Sequence, residues 1–146
     1  MSTRQSSSPL LSFPAQTSQL ATIREVVSTA LGCASWLPPA SVDAIVLAVD
    51  EACTNVIEHG YQSDGSKNVM LEVVVGADEV RVNIFDSAPS FDPRSRVAPD
   101  LDKRIQAGKR GGLGVHIMRS SVDDVRYEPS ASQTGLNQLT LIKRRM

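Results

Sequence analysis

Two polar residues near the middle of the chain have the types and the spacing for metal-assisted chemistry. Glu51 and Asn55 are four residues apart, so on a helix they are neighbours on one surface. A carboxylate next to an amide oxygen can hold Mg²⁺ and activate a hydroxyl group or a water molecule. A solvated helix face carries the same residue types, and for this pair alone that is the more frequent explanation. Leu47 lies in the same polar stripe, which indicates that something covers the stripe.

A second candidate is Asp86, which directly follows the apolar residues 80–85. A carboxylate at the end of a strand can accept a hydrogen bond from the amino group of adenine, and this contact distinguishes ATP from GTP. An aspartate that merely starts a turn is the alternative, and it is the more frequent case when the residue is taken alone.

A third candidate is the glycine-rich segment 109–114, which directly precedes a predicted helix. Glycines let the backbone approach a ligand closely, and a helix start offers unpaired N–H groups and the positive end of the helix dipole. Lys109 and Arg110 add positive charge. The segment fits a phosphate site, although its spacing matches neither the P-loop nor the dinucleotide-binding fingerprint. A glycine-rich helix start without a ligand is an equally good explanation.

The elements that must position these candidates are predicted from hydrophobic periodicity. A strand is expected at 10–13, followed by a helix from residue 17 that Gly32 weakens and the proline-containing segment 36–40 stops. The other expected ranges are a helix at 41–58, strands at 68–75 and 79–85, a helix at 111–120, and strands at 124–128 and 136–143. This order predicts an α+β fold, a two-layer sandwich with the helices on one face of a mainly antiparallel mixed sheet. The long connection 86–110 is typical of a functional loop or lid.

Composition limits the classes of function. The chain has 146 residues, with 15 basic and 16 acidic side chains and a formal net charge of −1, which favours one domain and predicts no nucleic-acid or membrane partner. Residues 1–9 are polar and rich in serine, so we expect a disordered tail before a single domain at 10–146. No secretory signal is visible, and two cysteines make no disulfide framework. We therefore expect a cytoplasmic protein in which Cys53 is a buried free thiol.

Four segments resemble one family when they are taken together and in order. They are LAVDEACTNVIEHGY at 47–61, VNIFDSAPSFDP at 82–93, GGLGVHIMRSSVDDVRYE at 111–128 and GLNQLTLIKR at 135–144. They resemble the N-box, the two glycine boxes and the closing strand of Bergerat (GHKL, histidine-kinase-like) ATPases, in the form found in bacterial anti-sigma-factor serine/threonine protein kinases. The resemblance covers about residues 10–144 and implies that the chain binds ATP and Mg²⁺.

The resemblance implies a role for individual residues of the N-box and of the first glycine box. Glu51 would be the general base for a protein hydroxyl, and Asn55 would coordinate Mg²⁺. Asp86 would bind the adenine amino group, and Thr140 would support it through a water molecule. His59 would line the site, although an exposed place in a C-terminal helix turn is as good an explanation.

Phosphate binding would fall to the second glycine box. The resemblance implies that backbone amides of the glycine-rich loop contact the phosphates, with a basic side chain nearby in the lid. The loop residues concerned are Lys109, Arg110, Gly111, Gly112, Leu113 and Gly114.

One residue departs from the family pattern. Much of the wider superfamily has glycine at the third position of the first box, where this chain has Ala88. A methyl group there could narrow the approach to adenine, although Ala88 is still expected to lie in the nucleotide site.

Two functions follow from the resemblance. The first is a serine/threonine kinase that phosphorylates an anti-anti-sigma partner with a STAS domain and also sequesters a sigma factor in a partner-switching pathway. The second is a catalytically weak ATP-binding module that holds a regulatory protein without phosphorylating it. A homodimer is expected from the resemblance alone. Sensor histidine kinases and ATPases with transducer domains are disfavoured, because this chain lacks room for their additional elements.

Overall fold

An antiparallel sheet is the frame of the molecule. The computed structural model of the chain describes residues 6–7, 10–89, 118–130 and 135–146. Its strands are β1 (Ser6–Ser7), β2 (Leu11–Pro14), β3 (Asn68–Val75), β4 (Glu79–Asp86), β5 (Asp124–Glu128) and β6 (Asn137–Arg144). The order across the sheet is β1-β3-β4-β6-β5, and β2 also pairs with β3. Every strand pair among the described residues is antiparallel.

The central strands follow the two-residue period of a sheet with one covered face. Alternate residues of β3 and β4 are buried in the core, among them Val69, Leu71, Val82 and Ile84. The predicted turn between these strands is confirmed, and the N–H of Gly76 donates to the Glu79 carbonyl at 2.8 Å. The sheet therefore presents one apolar face to the helices.

Helix α1 (Leu20–Leu31) packs on that face beside α2. Ile23, Val27 and Leu31 recur every four residues and are fully buried, as the sequence period predicts. A short 3₁₀ turn, Thr17–Gln19, precedes the helix. The helix ends at Leu31 with Gly32 as its C-cap. The sequence predicted that Gly32 weakens the helix and that the segment 36–40 stops it, so the helix ends earlier than the predicted stop.

Helix α2 (Pro39–Thr54) begins two residues before the predicted start, because proline fits the first helical position, where no N–H bond is needed. From Asn55 to Gly60 the chain continues as a π-helix. The N–H of Tyr61 closes this wider turn on the carbonyl of Val56 at 2.8 Å. The sequence predicted one continuous α-helix here. The extra residue in the turn changes the direction of the side chains that follow it, and such turns are frequent at functional sites.

The fold class predicted from the sequence is confirmed: the protein is α+β, with α1, α2 and the sheet sharing one core. Of the helix predicted at 111–120, residues 118–121 are helical and the preceding residues lie outside the described part of the chain. Of the expected tail, Ser6–Ser7 form β1 and the other residues lie outside it. Among the described residues, no helix combines the length and the apolar character needed to span a membrane.

Candidate functional site

The end of β4 carries a buried carboxylate whose donors, among the described residues, all bond to one of its two oxygens. Asp86 is directly opposite Asn137, the first residue of β6, and the two side chains are 7% and 3% exposed. Oδ1 of Asp86 accepts hydrogen bonds from the N–H of Ala88 and from Nδ2 of Asn137, each at 2.9 Å. Both donors converge on Oδ1, and no donor to Oδ2 is present in the described part of the chain. An acceptor in this state can receive a hydrogen bond from a ligand.

Asn137 fixes the turn that follows Asp86. Its second Nδ2 hydrogen reaches the carbonyl oxygen of Ala88 at 2.7 Å, and its Oδ1 accepts the N–H of Ser130 at 3.0 Å. Burial raises the pKa of Asp86, and the hydrogen bonds from Asn137 and Ala88 oppose that rise. Hydrogen bonds therefore hold the turn, and the Asp86 carboxylate is largely removed from solvent.

The structure does not bring Thr140 to Asp86. Thr140 is paired with Asn83, three residues before Asp86, so it points to the opposite face of the sheet. Its hydroxyl donates to Oδ1 of Asn83 at 2.8 Å, and Nδ2 of Asn83 donates to Glu72 at 2.9 Å. The residue in contact with Asp86 is Asn137, which the sequence analysis missed.

The end of the π-helix lies against the turn after β4. A Cβ atom placed on Gly60 would be 2.9 Å from the Cβ of Ala88, so the Ala88 methyl group is directed at this glycine. Ala88 is 9% exposed. The alanine that departs from the family pattern is therefore accommodated within the protein by the absence of a side chain at Gly60.

Helix α2 places the predicted catalytic pair on one surface. Glu51 and Asn55 are both half-buried, and the N–H of Asn55 donates to the carbonyl of Glu51, the usual bond across one α-helical turn. His59 is exposed in the π-helix. Leu47 is 45% exposed on the same helix, so the apolar residue in the polar stripe is accessible. The structure thus joins the Glu51–Asn55 helix and the Asp86 turn through the contact of Gly60 with Ala88.

Cys53 lies behind the site and is a buried free thiol, as predicted. Burial raises its pKa to about 12, and the negative charges of Asp50 and Asp86 add to the rise. At neutral pH the sulfur stays protonated, so it serves packing and not nucleophilic chemistry. Within the residues that the structure describes, no group of three or more His, Cys, Asp or Glu side chains could hold a metal ion.

The glycine-rich loop cannot be compared with its prediction. Lys109, Arg110, Gly111, Gly112, Leu113 and Gly114 all lie outside the described residues.

A family model and several curated proteins are similar to this chain. The family model for the histidine kinase-like ATPase domain matches residues 13–143. "Serine-protein kinase RsbW" of Bacillus cereus (strain AH187) is 31% identical over 101 residues, which are 65% of this chain and 61% of that protein. The protein of the same name from Bacillus licheniformis is 28% identical over 97 residues, 64% of this chain and 61% of that protein. The matched part of the chain thus spans about three fifths of these relatives.

Proposed function

Because the chain belongs to the histidine kinase-like ATPase domain family, we propose that it is an ATP-dependent serine/threonine protein kinase of the anti-sigma type. The resemblance stated from the four sequence segments is confirmed at the level of the family. The relatives with 28–31% identity carry the name of a serine-protein kinase, which supports the kinase proposal.

The single observation that carries the proposal is the Oδ2 atom of Asp86, which accepts no hydrogen bond from the residues that the structure describes. It is a buried acceptor at a strand end, in a turn fixed by Asn137 and covered by the end of the π-helix. An adenine amino group would donate to this oxygen, whereas guanine presents an acceptor at the same ring position. Ala88 would border the base, with its methyl group turned toward Gly60.

Glu51 and Asn55 fit the chemical step. In the proposed reaction the Glu51 carboxylate takes the proton of a serine or threonine hydroxyl while that oxygen bonds to the γ-phosphorus of ATP. The bond from the γ-phosphorus to the β–γ bridging oxygen breaks, and ADP leaves with its electron pair. Asn55 would hold Mg²⁺, and the bound ion would neutralise charge on the phosphate oxygens. The half-buried position of both side chains on one helical surface is compatible with these roles.

The glycine-rich loop completes the proposal. Backbone amides of residues 111–114 would contact the phosphates, Lys109 or Arg110 would add positive charge, and His59 would line the site. The domain would extend over residues 10–146. The proposed location is the cytoplasm, where the chain would act as a homodimer on a STAS-domain anti-anti-sigma factor and on a sigma factor.

A phosphorylation assay tests the kinase. The protein is incubated with Mg-ATP labelled at the γ-phosphate and with purified STAS-domain proteins of its source organism, and phosphoserine and phosphothreonine are measured. We expect transfer by the wild type and by Glu25→Gln, a matched change at an exposed position of α1. Glu51→Gln should transfer no measurable phosphate. If no STAS-domain protein is phosphorylated by a protein that binds Mg-ATP, the kinase proposal fails.

The exposed Leu47 favours a second candidate, an ATP-binding module that grips a regulatory protein without phosphorylating it. An apolar side chain that is 45% exposed beside acidic residues suits a protein contact. This module would retain signalling in the Glu51→Gln variant, whereas the kinase would lose it. Signalling that depends on Glu51 while the binding of partner and ATP is intact would exclude the second candidate.

A further inference from the structure

The Tyr61 hydroxyl connects the end of the π-helix with the start of β3 and with the turn after β4. Tyr61 is the residue after the π-helix and is 8% exposed. Its hydroxyl donates to the carbonyl of Asn68 at 2.9 Å and accepts the N–H of Ser87 at 2.7 Å. The hydroxyl of Ser87 is 3.1 Å away. Since the only phenolic hydrogen goes to a carbonyl, which cannot donate, the Ser87 hydroxyl is the donor in this last contact.

Two hydrogen bonds hold the two peptide groups on either side of Ser87 in the turn after β4. The N–H of Ser87 is held by Tyr61, and the N–H of Ala88 is held by Oδ1 of Asp86. Gly60, directly before Tyr61, lies against the Ala88 methyl group. The turn that carries Asp86 is thus attached to the end of the helix that carries Glu51 and Asn55.

We propose that Tyr61 is a positioning residue of the nucleotide site, which fixes residues 87–88 and thereby aims Oδ2 of Asp86 at the adenine amino group. The inference rests on the proposed function, because it assumes that adenine binds at Asp86. A tyrosine that only anchored the fold would affect stability and would weaken all nucleotides alike. A positioning tyrosine affects the contact with the amino group specifically.

The test is nucleotide discrimination. Inosine triphosphate carries an oxygen where adenine has its amino group, so the affinity ratio of Mg-ATP to Mg-ITP reports the Asp86 contact. NMR titration measures both affinities for the wild type, Tyr61→Phe and Asp86→Asn. We expect Tyr61→Phe to lower the ratio by about three- to ten-fold, the effect of losing one hydrogen bond. In the Asp86→Asn background, Tyr61→Phe should lower it no further, since both changes act on one contact.

Tyr127→Phe is the matched control, because it removes the chain's other tyrosine hydroxyl and should leave the ratio unchanged. If Tyr61→Phe fails to fold, Gly60→Ala takes its place. The added Cβ must displace Ala88, so the ratio should fall, and Ala88→Gly in the same chain should restore it.

The two proposals fail in different ways. If the wild type prefers ATP and neither Tyr61→Phe nor Gly60→Ala changes the ratio, the positioning role is overturned and the adenine site stands. If the wild type binds ATP no better than ITP, the adenine site at Asp86 is overturned, and the inference about Tyr61 fails with it.

Discussion

Strands β4 and β6 carry two polar pairs that differ in one respect. In one pair Asp86 lies opposite Asn137, and in the other, three residues along each strand, Asn83 lies opposite Thr140. All four side chains are at most 9% exposed. On the outer face the side chains bond to one another: Thr140 donates to Asn83, and Asn83 donates to Glu72. On the helix face, Asp86 keeps one oxygen without a donor in the described part of the chain. The same strands therefore carry a hydrogen-bonded network on one face and, on the other, the carboxylate that we propose binds adenine.

The largest expected effect concerns one glutamate on each side of the sheet. Glu51→Gln removes the proposed general base and should lower phosphoryl transfer by about 10²- to 10⁴-fold with little change in Mg-ATP affinity. Glu72→Gln should leave transfer unchanged, because an amide oxygen can still accept the bond from Asn83. Initial rates with the phosphorylated partner measure both. Equal losses of transfer rate in the two variants would contradict the view that only the helix face of the sheet carries the chemistry.

The two asparagines sharpen the comparison. Asn137→Ala releases both Asp86 and Ala88, and we expect Mg-ATP affinity to fall by about ten-fold. Asn83→Ala leaves Thr140 and Glu72 without their partner, which should lower the free energy of unfolding by about 1–3 kcal/mol. Mg-ATP affinity should not change in this second variant. Calorimetric titration measures the Mg-ATP affinity, and urea denaturation measures the free energy of unfolding. A loss of affinity in Asn83→Ala would contradict the separation of the two pairs.

Acid should weaken nucleotide binding through Asp86. Because burial raises the pKa of this carboxyl group, it takes up a proton at a higher pH than an ordinary aspartate. Mg-ATP affinity should therefore fall as the pH decreases through the raised pKa. The decrease should be absent in Asp86→Asn, whose weaker binding does not depend on this proton. A pH series of titrations on both proteins checks this, and parallel curves would contradict it.

The raised pKa of Asp86 also predicts how the stability of the protein depends on pH. A pKa raised in the folded state means that the folded protein binds the proton more tightly than the unfolded chain. The stability contributed by Asp86 is thus fully present below its unfolded pKa and is lost as the pH rises through its folded pKa. Asp86→Asn should gain stability relative to the wild type over that interval, measured by denaturation at several pH values. A relative loss would mean that the folded-state pKa is not raised.

The smallest effect is expected away from both pairs. Arg24 and Asp50 form an ion pair of 2.7 Å between α1 and α2, with the arginine side chain 46% exposed. Solvent screens such pairs, so Arg24→Met should change the free energy of unfolding by less than about 1 kcal/mol. The ATP-to-ITP affinity ratio should stay at its wild-type value. A large loss of either would show that this exposed contact supports the site.

Helix α1 and strands β3 and β4 were predictable from the sequence because their buried residues recur with a clear period. The four-residue spacing in α1 and the alternation in β3 specify which side is buried. The π-helix was not predictable, since its residues have the same pattern as a continuing α-helix. Asp86 could be found as a carboxylate at a strand end. Its partner could not, because choosing Asn137 over Thr140 requires the register of β6 on β4, and an odd shift moves a side chain to the other face.

The contacts of Tyr61, and the role that we propose for it, could not be predicted from the sequence either. The residue stands inside the segment that resembles the N-box, yet its contacts join residues that are 7 and 26 positions away. Only the meeting of the helix end with the turn after β4 reveals them.

The most direct measurement is a calorimetric titration of the wild type, Asp86→Asn and Thr140→Val with Mg-ATP. We expect saturable binding to the wild type, a loss of about 100-fold in Asp86→Asn, where an amide hydrogen can face the adenine amino group, and wild-type affinity in Thr140→Val. Unchanged binding in Asp86→Asn, or a matching loss in Thr140→Val, would contradict a nucleotide site at the helix-facing end of β4.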